Sequence, residues 1–304
     1  MTSNVFEGEL SSTPFAHILV YAFDRRLAGT LYLEEPSGTP HIVSFLRGVP
    51  VKVRAGDGYA LLGELLIEAR AISEEALAGA LSMPALLGDA LVIGGFVDRD
   101  TLEKTAEAQF RMRMARLFGL AAETRYRYID GVDELAEWGG APAAVDPLEL
   151  LWAGLREHAA ASTALESTLG RLGNSPLRLH SSALVERFAF NAPELEVAIS
   201  MREEGRSIDD LAALGTISNE MVRAMVYALV ITRHIDIGGG SLPVGVGADT
   251  ETAESSARSG NHAVGRMRLR SIPHRDGAAA PDVPGSGEPS SFGVRSTRKT
   301  GPIE

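Results

Sequence analysis

Seven histidines, at positions 17, 41, 158, 180, 234, 262 and 274, are the side chains here best suited to proton transfer or metal ligation at neutral pH. They are scattered, and no two stand at metal-ligand spacing. The chain has no cysteine, which removes disulfides, thiolate zinc sites, iron–sulfur clusters and thiol nucleophiles. A phosphate-loop signature, a His-Glu-x-x-His pair and a Gly-x-Ser-x-Gly elbow are all missing. Gly56-Asp57-Gly58 stands before a helical stretch in a faint echo of a phosphate-binding turn, and an ordinary helix-start loop is by far the commoner meaning of such a run. These residues predict a chain that is not an enzyme and carries no cofactor.

Cations cluster in three places. Arg47, Lys52 and Arg54 fall on one hairpin and are the candidate partner-facing basic residues, while blocking edge-to-edge strand pairing is the ordinary role of such charges. Arg111, Arg113 and Arg116 crowd the end of a helix, where they complement its dipole and flank the stripe Phe110, Met114, Leu117 and Phe118. Arg266-Met267-Arg268-Leu269-Arg270 forms a basic island near the C-terminus. Formal net charge is -11 over 304 residues, so nucleic acid and anionic membrane are disfavoured partners. No apolar run reaches a membrane span of about 20 residues and the N-terminus lacks signal-peptide character, which predicts a cytoplasmic protein.

The elements that must position these groups divide into three regions. Residues 1–138 mix strands and helices. Val5 to Leu10 reads as a strand, and a helix capped by Ser12 or Thr13 carries Ile18, Leu19, Ala22 and Phe23 until Gly29 stops it. Thr30–Leu33, His41–Phe45 and Val49–Arg54 alternate as an antiparallel meander, and Arg125–Ile129 reads as a returning strand. Residues 146–237 are helical beyond a small-residue linker, with Asp146, Pro147 and Glu149 as a capping box. From 238 to 304 the chain is rich in Gly, Pro, Ser and Ala without apolar period, which predicts a disordered tail.

The helical part of the first region repeats itself at an offset of 25 residues. Leu62-Gly63, Leu66 and Ile67 are answered by Leu87-Gly88, Leu91 and Val92. Ile72, Ser73 and Leu77 are answered by Val97, Asp98 and Leu102. Ser73 and Asp98 are predicted N-caps, each set inside a hydrophobic staple, and each glycine is expected to admit a neighbouring backbone. This tandem Leu-Gly pattern, with Gly95 and Gln109, is similar to the N-terminal domain of type II secretion ATPases. That resemblance implies a cyclic diguanylate site at Leu62, Gly63, Leu66, Leu87, Gly88 and Leu91. The family carries a basic residue before each Leu-Gly, whereas this chain has Leu61 and Leu86.

A wider run resembles the PATAN domain, the PatA-like N-terminal domain of bacterial signalling proteins. It includes Gly8-Glu9-Leu10, Pro14-Phe15, Leu27-Ala28-Gly29-Thr30-Leu31-Tyr32-Leu33, Arg47-Gly48-Val49-Pro50-Val51, the paired Leu-Gly helices and Leu117-Phe118, over roughly 4–132. The resemblance implies signal transduction through protein contacts. In the second region, a turn and helix at 205–212 precede a helix from Ser218 carrying Met221, Val222, Met225, Val226, Leu229 and Val230, an order that resembles a winged helix. Its face outside the apolar stripe offers Glu220, Arg223, Tyr227 and Arg233, a poor set for reading base edges. The fold class expected is α+β: an antiparallel sheet with a helical insert, a small winged-helix-like domain and a tail. The expected function is a non-enzymatic signalling adaptor, with a cyclic diguanylate sensor or a winged-helix transcription regulator as alternatives.

Overall fold

The computed structural model describes residues 5–158 and 163–237. The tail expected over 238–304, with its basic island, lies outside the described residues. The fold is mixed α+β. Strand β1 (Val5–Glu9), helix α1 (Phe15–Arg25) and strands β2 (Gly29–Glu34), β3 (Pro40–Leu46) and β4 (Val49–Ala55) come first. Helices α2 (Leu62–Glu68), α3 (Glu74–Leu81), α4 (Leu87–Ile93) and α5 (Arg99–Arg116) form the insert, and the chain returns as β5 (Arg125–Asp130). Then follow α6 (Pro147–His158), α7 (Thr163–Leu172), β6 (Leu177–Leu179), α8 (Ala192–Glu203), α9 (Ile208–Ala213), α10 (Asn219–Ile231) and β7 (Ile235–Ile237).

The five-stranded sheet has the order β1-β5-β2-β3-β4 with every neighbour antiparallel. Strand β5 therefore lies between β1 and β2, which never pair with each other. Alternation sets its faces: Tyr126 and Tyr128 are buried while Arg125 and Arg127 are exposed. Arg47 and Gly48 join β3 to β4 with φ of 52° and 83°, the backbone of a two-residue primed turn.

Two local expectations are corrected. Neither Ser12 nor Thr13 caps α1. Pro14 is the cap residue, without a side-chain bond, and the Ser12 hydroxyl instead donates to the Glu9 carbonyl at 2.9 Å. Gly29 does not stop the helix either. Arg26 closes α1 in the left-handed region (φ 51°), and Gly29 belongs to β2, where a Cβ would meet the Ile129 carbonyl and stand 2.7 Å from the Tyr128 hydroxyl.

One buried apolar cluster joins the sheet, α1 and α5 to α6–α10, so the core does not break at the segment around 138–146. Helix α10 lies inside it, with Val222, Ala224, Met225, Val226, Tyr227, Ala228 and Leu229 all buried. Its Tyr227 hydroxyl meets His17 Nε2 of α1 at 2.9 Å. The buried Glu194 carboxylate accepts from Trp152 Nε1 at 3.0 Å and from the Asn191 amide at 2.9 Å. Asp146 does cap α6 through the Leu148 N–H, at 2.9 Å, and also receives both arms of Arg187 at 2.8 and 3.1 Å. Glu149 does not complete a capping box there, because Arg111 Nε holds it at 3.0 Å.

A smaller, separate cluster centres the insert on Leu66, Ile72, Ala80, Ala90, Leu91 and Val97. Ser73 accepts from Ala76 N–H at 3.2 Å and Asp98 from Thr101 N–H at 2.8 Å, as their spacing predicts. Arg70 and Gly95 both have positive φ, 55° and 67°. The Ala71 and Phe96 amides both reach back five residues, to Leu66 and Leu91 carbonyls at 2.8 and 2.9 Å. The neighbours admitted by the two glycines are side chains rather than backbone: Leu77 against Gly63 and Leu102 against Gly88.

Two predictions follow from this packing. A Cβ at Gly88 would sit 3.4 Å from Leu102 Cδ2, against 2.7 Å from Leu77 Cδ1 at Gly63. Gly88→Ala should therefore gain part of the roughly 1 kcal/mol of helix propensity and Gly63→Ala less, as measured by urea unfolding. Burial, with Arg171 nearby, holds His17 below the ordinary imidazole range. Burial also lowers His234, where Arg187 and His180 add to the shift and the Thr232 backbone opposes it. As pH falls through about 6.5, the unfolded chain takes up protons that these native imidazoles refuse, so stability is full above that pH and lost below it. Thermal melting between pH 7.5 and 5 should show this loss, and His17→Gln should flatten it.

Candidate functional site

The three basic residues expected on one hairpin have different fates. Ser44 and Lys52 are register partners on the sheet face opposite α1, with Thr30 beside Ser44 on β2. The chain leaving β5 lies across that face as a strap. The Thr30 hydroxyl donates to the Val132 carbonyl at 2.6 Å and accepts from the Glu134 amide at 3.1 Å. The Ser44 hydroxyl donates to Asp133 Oδ1 at 2.6 Å, and Tyr32 to Glu134 Oε2 at 3.0 Å. Lys52 Nζ donates to the Leu135 carbonyl at 3.0 Å, and the Arg54 guanidinium stacks on the Trp138 ring at 4.8 Å. Leu135 is buried at the centre of the strap. Lys52 and Arg54 thus hold the chain's own backbone and ring, and of the three only Arg47 stands exposed.

The arginines at the end of α5 are likewise engaged within the chain. Arg111 pairs with Glu107 and Glu149, Arg113 Nε donates to the Tyr59 carbonyl at 3.1 Å, and Arg116 meets Asp57 at 3.4 Å. Gly56-Asp57-Gly58 is a loop in which Asp57 Oδ1 accepts from the Tyr59 amide at 3.1 Å. His41 is buried on the sheet with Nε2 2.8 Å from Glu35 Oε1. Among the described residues, no group of three or more His, Asp and Glu could hold a metal ion. The residues expected to face outward on α10 do not form a reading surface. Tyr227 is buried against His17, and Arg223 is bound to Glu166 at 2.5 Å.

The Leu-Gly positions form the insert's interior. Leu66 and Leu91 are fully buried, Leu62 and Leu87 pack against the same cluster, and Gly63 and Gly88 lie beneath Leu77 and Leu102. What the insert presents outward is apolar. Leu61 and Leu86, the residues immediately before each Leu-Gly, are 44% and 52% exposed. Leu81 and Ile93, at the C-terminal ends of α3 and α4, are 64% and 72% exposed, with Phe96 three residues beyond α4. Phe96 leans over Gly79 of α3, bridging the helix pairs, and Leu86 lies over Gly139 beyond the strap. An open groove of about 350 Å³ between α2 and α5 is lined by Leu65, Glu68, Ala69, Lys104, Thr105 and Ala108.

The outward position of Leu81, Ile93 and Phe96 is what sequence reasoning missed. Leu81 and Ile93 fall within the apolar register of short helices, and nothing in spacing alone distinguishes them from core. No family model, curated protein or solved structure matches this chain.

The strap supplies a testable consequence. Thr30→Val removes one donor and one acceptor from it, and Ser44→Ala removes the Asp133 contact. Each should cost about 1 kcal/mol, and hydrogen exchange of the Glu134 and Leu135 amides should accelerate well beyond that of the sheet.

Proposed function

We propose that this chain is a non-enzymatic adaptor of bacterial signal transduction, acting in the cytoplasm through protein–protein contacts, with the helical insert as its contact surface. The observation that supports this reading is the exposure of Leu61 and Leu86 at the two turns where the similar secretion-ATPase domains carry cations. A leucine there offers nothing to an anionic dinucleotide, while it can bury itself against an apolar partner at about 1.5–3 kcal/mol per side chain. Leu81, Ile93 and Phe96 extend that surface. The helices that carry them pack on the insert's own buried cluster before any partner arrives, which limits the entropy lost on docking. The resemblance to the PATAN family points to the same class of activity. No helix among the described residues is long and apolar enough to cross a membrane.

Leu86→Glu combined with Ile93→Glu tests the proposal. Both side chains are exposed, so the melting temperature should hold, while proteins that co-purify with the wild-type chain from its native cells should be lost. Retention of the same set of partners by the double variant would overturn the reading, as would turnover of a nucleotide by the purified chain.

A further inference from the structure

We propose that the arginine-rich end built by the C-terminus of α1, the β3–β4 turn and the turn after α10 is a docking surface for an acidic peptide of a partner protein. It is distinct from the insert surface and does not depend on it. Helix α1 finishes with Arg25, and Arg26 closes it, its amide donating to the Ala22 and Phe23 carbonyls. The hairpin turn seats directly on that last helical turn. The Gly48 amide donates to the Leu27 carbonyl at 2.7 Å, and a Cβ at Gly48 would lie 2.7 Å from the Ala22 carbonyl oxygen and 2.8 Å from Phe23 Cα. Arg26 and Arg47 therefore flank a single backbone hydrogen bond. Arg233 joins the same end from α10, with Nη2 3.6 Å from Asp24 Oδ2.

All four arginines are exposed. Among the described residues, no carboxylate lies within ion-pair distance of Arg25, Arg26 or Arg47, although the chain holds 40 Asp and Glu against 29 Lys and Arg. Arg25 leans over the Tyr21 ring at 5.8 Å, and its charge also acts on the Asp24 carboxylate. The nearby acids are Asp24, which pairs with Arg233, and Asp130, the strand partner of Gly29, whose Oδ1 accepts from the Tyr128 hydroxyl at 3.3 Å.

Helix-dipole complementarity accounts for cations at the ends of α1 and α10. It does not account for Arg47, which lies in a hairpin turn. Backbone geometry sharpens the point: Arg26, Arg47 and Arg233 have φ of 51°, 52° and 60°, where glycine or asparagine fits without steric cost. Guanidinium forks bind carboxylates through paired hydrogen bonds, and Leu46, 54% exposed beside Arg47, offers an apolar seat next to them. A short acidic peptide matches this small island. A nucleic acid strand would run beyond it onto surface of its own sign.

Positive φ makes the decisive variant safe for the fold. Arg26→Gly with Arg47→Gly removes two guanidiniums while relieving the backbone, so its melting temperature should equal or exceed that of the wild type. The probes are a fluorescein-labelled hexaglutamate peptide and a labelled hexathymidine strand, titrated by anisotropy at low salt with the full chain. We expect saturable peptide binding that weakens about tenfold in the double glycine variant, given a few tenths to 1 kcal/mol per exposed pair. Arg25→Gln, on regular helix, should weaken it about threefold, and Arg127→Gln, on the opposite sheet face, should leave it unchanged. Absence of saturable peptide binding overturns the proposal, as does equal affinity of the double glycine variant. Hexathymidine binding as tightly as the peptide would assign this end to nucleic acid instead.

Discussion

Everything in the described fold depends on β5 occupying the slot between β1 and β2. Those two strands run in the same direction and make no hydrogen bonds to each other. Each is antiparallel to β5, which satisfies the facing edges of both. The insert must therefore leave the sheet at β4 and deliver the chain back to its middle. Helix α5 does this, packing beside β4 and α6 before the turn that opens β5. Once β5 is in place, its continuation has nowhere to go but across the sheet's second face, and the strap results. Its hydroxyl, lysine and indole contacts bury the centre of β3 on both sides, which explains why His41 to Phe45 show no exposed alternation.

Charge is distributed by the same logic. An acidic chain of this size has few cations to spare, and most of those described are tied to carboxylates, carbonyls or aromatic rings. Arg187 fixes the start of α6 by gripping Asp146 while lying over Phe23, so one side chain secures α1, α6 and the turn at 185–188. Arg111 couples α5 to α6 in a comparable way. The cations left outside these ties are informative because the chain has so few.

Much of the fold was legible in the sequence. Strand alternation in 30–54 and 125–129, the Ser73, Asp98 and Ser218 caps, and the turn at Arg47-Gly48 all have local physical causes that sequence spacing expresses. The position of β5 within the sheet was not, since any edge or slot is consistent with its alternation. The close of α1 was misjudged because an arginine adopts a left-handed conformation that composition assigns to glycine. Lys52 and Arg54 looked available because the strap that engages them is a turn-rich segment far along the chain with no periodic signal. Short helices of seven or eight residues also leave their inward face undecided, so spacing did not show that Leu81 and Ile93 face outward until tertiary contacts placed them.

The pairing of Val5 with Ile129 and Glu9 with Arg125 also has a temporal meaning. During synthesis at roughly 5–20 residues per second, β1 emerges on the order of ten seconds before the only strand it pairs with in this sheet. Over that interval Phe6 has Tyr21 of α1 beside it but neither Tyr126 nor Tyr128, and the meander of β2, β3 and β4 can fold without β1. Strand β1 is thus fastened well after the meander that follows it, and the nascent chain carries an unclaimed strand while its insert is still being built.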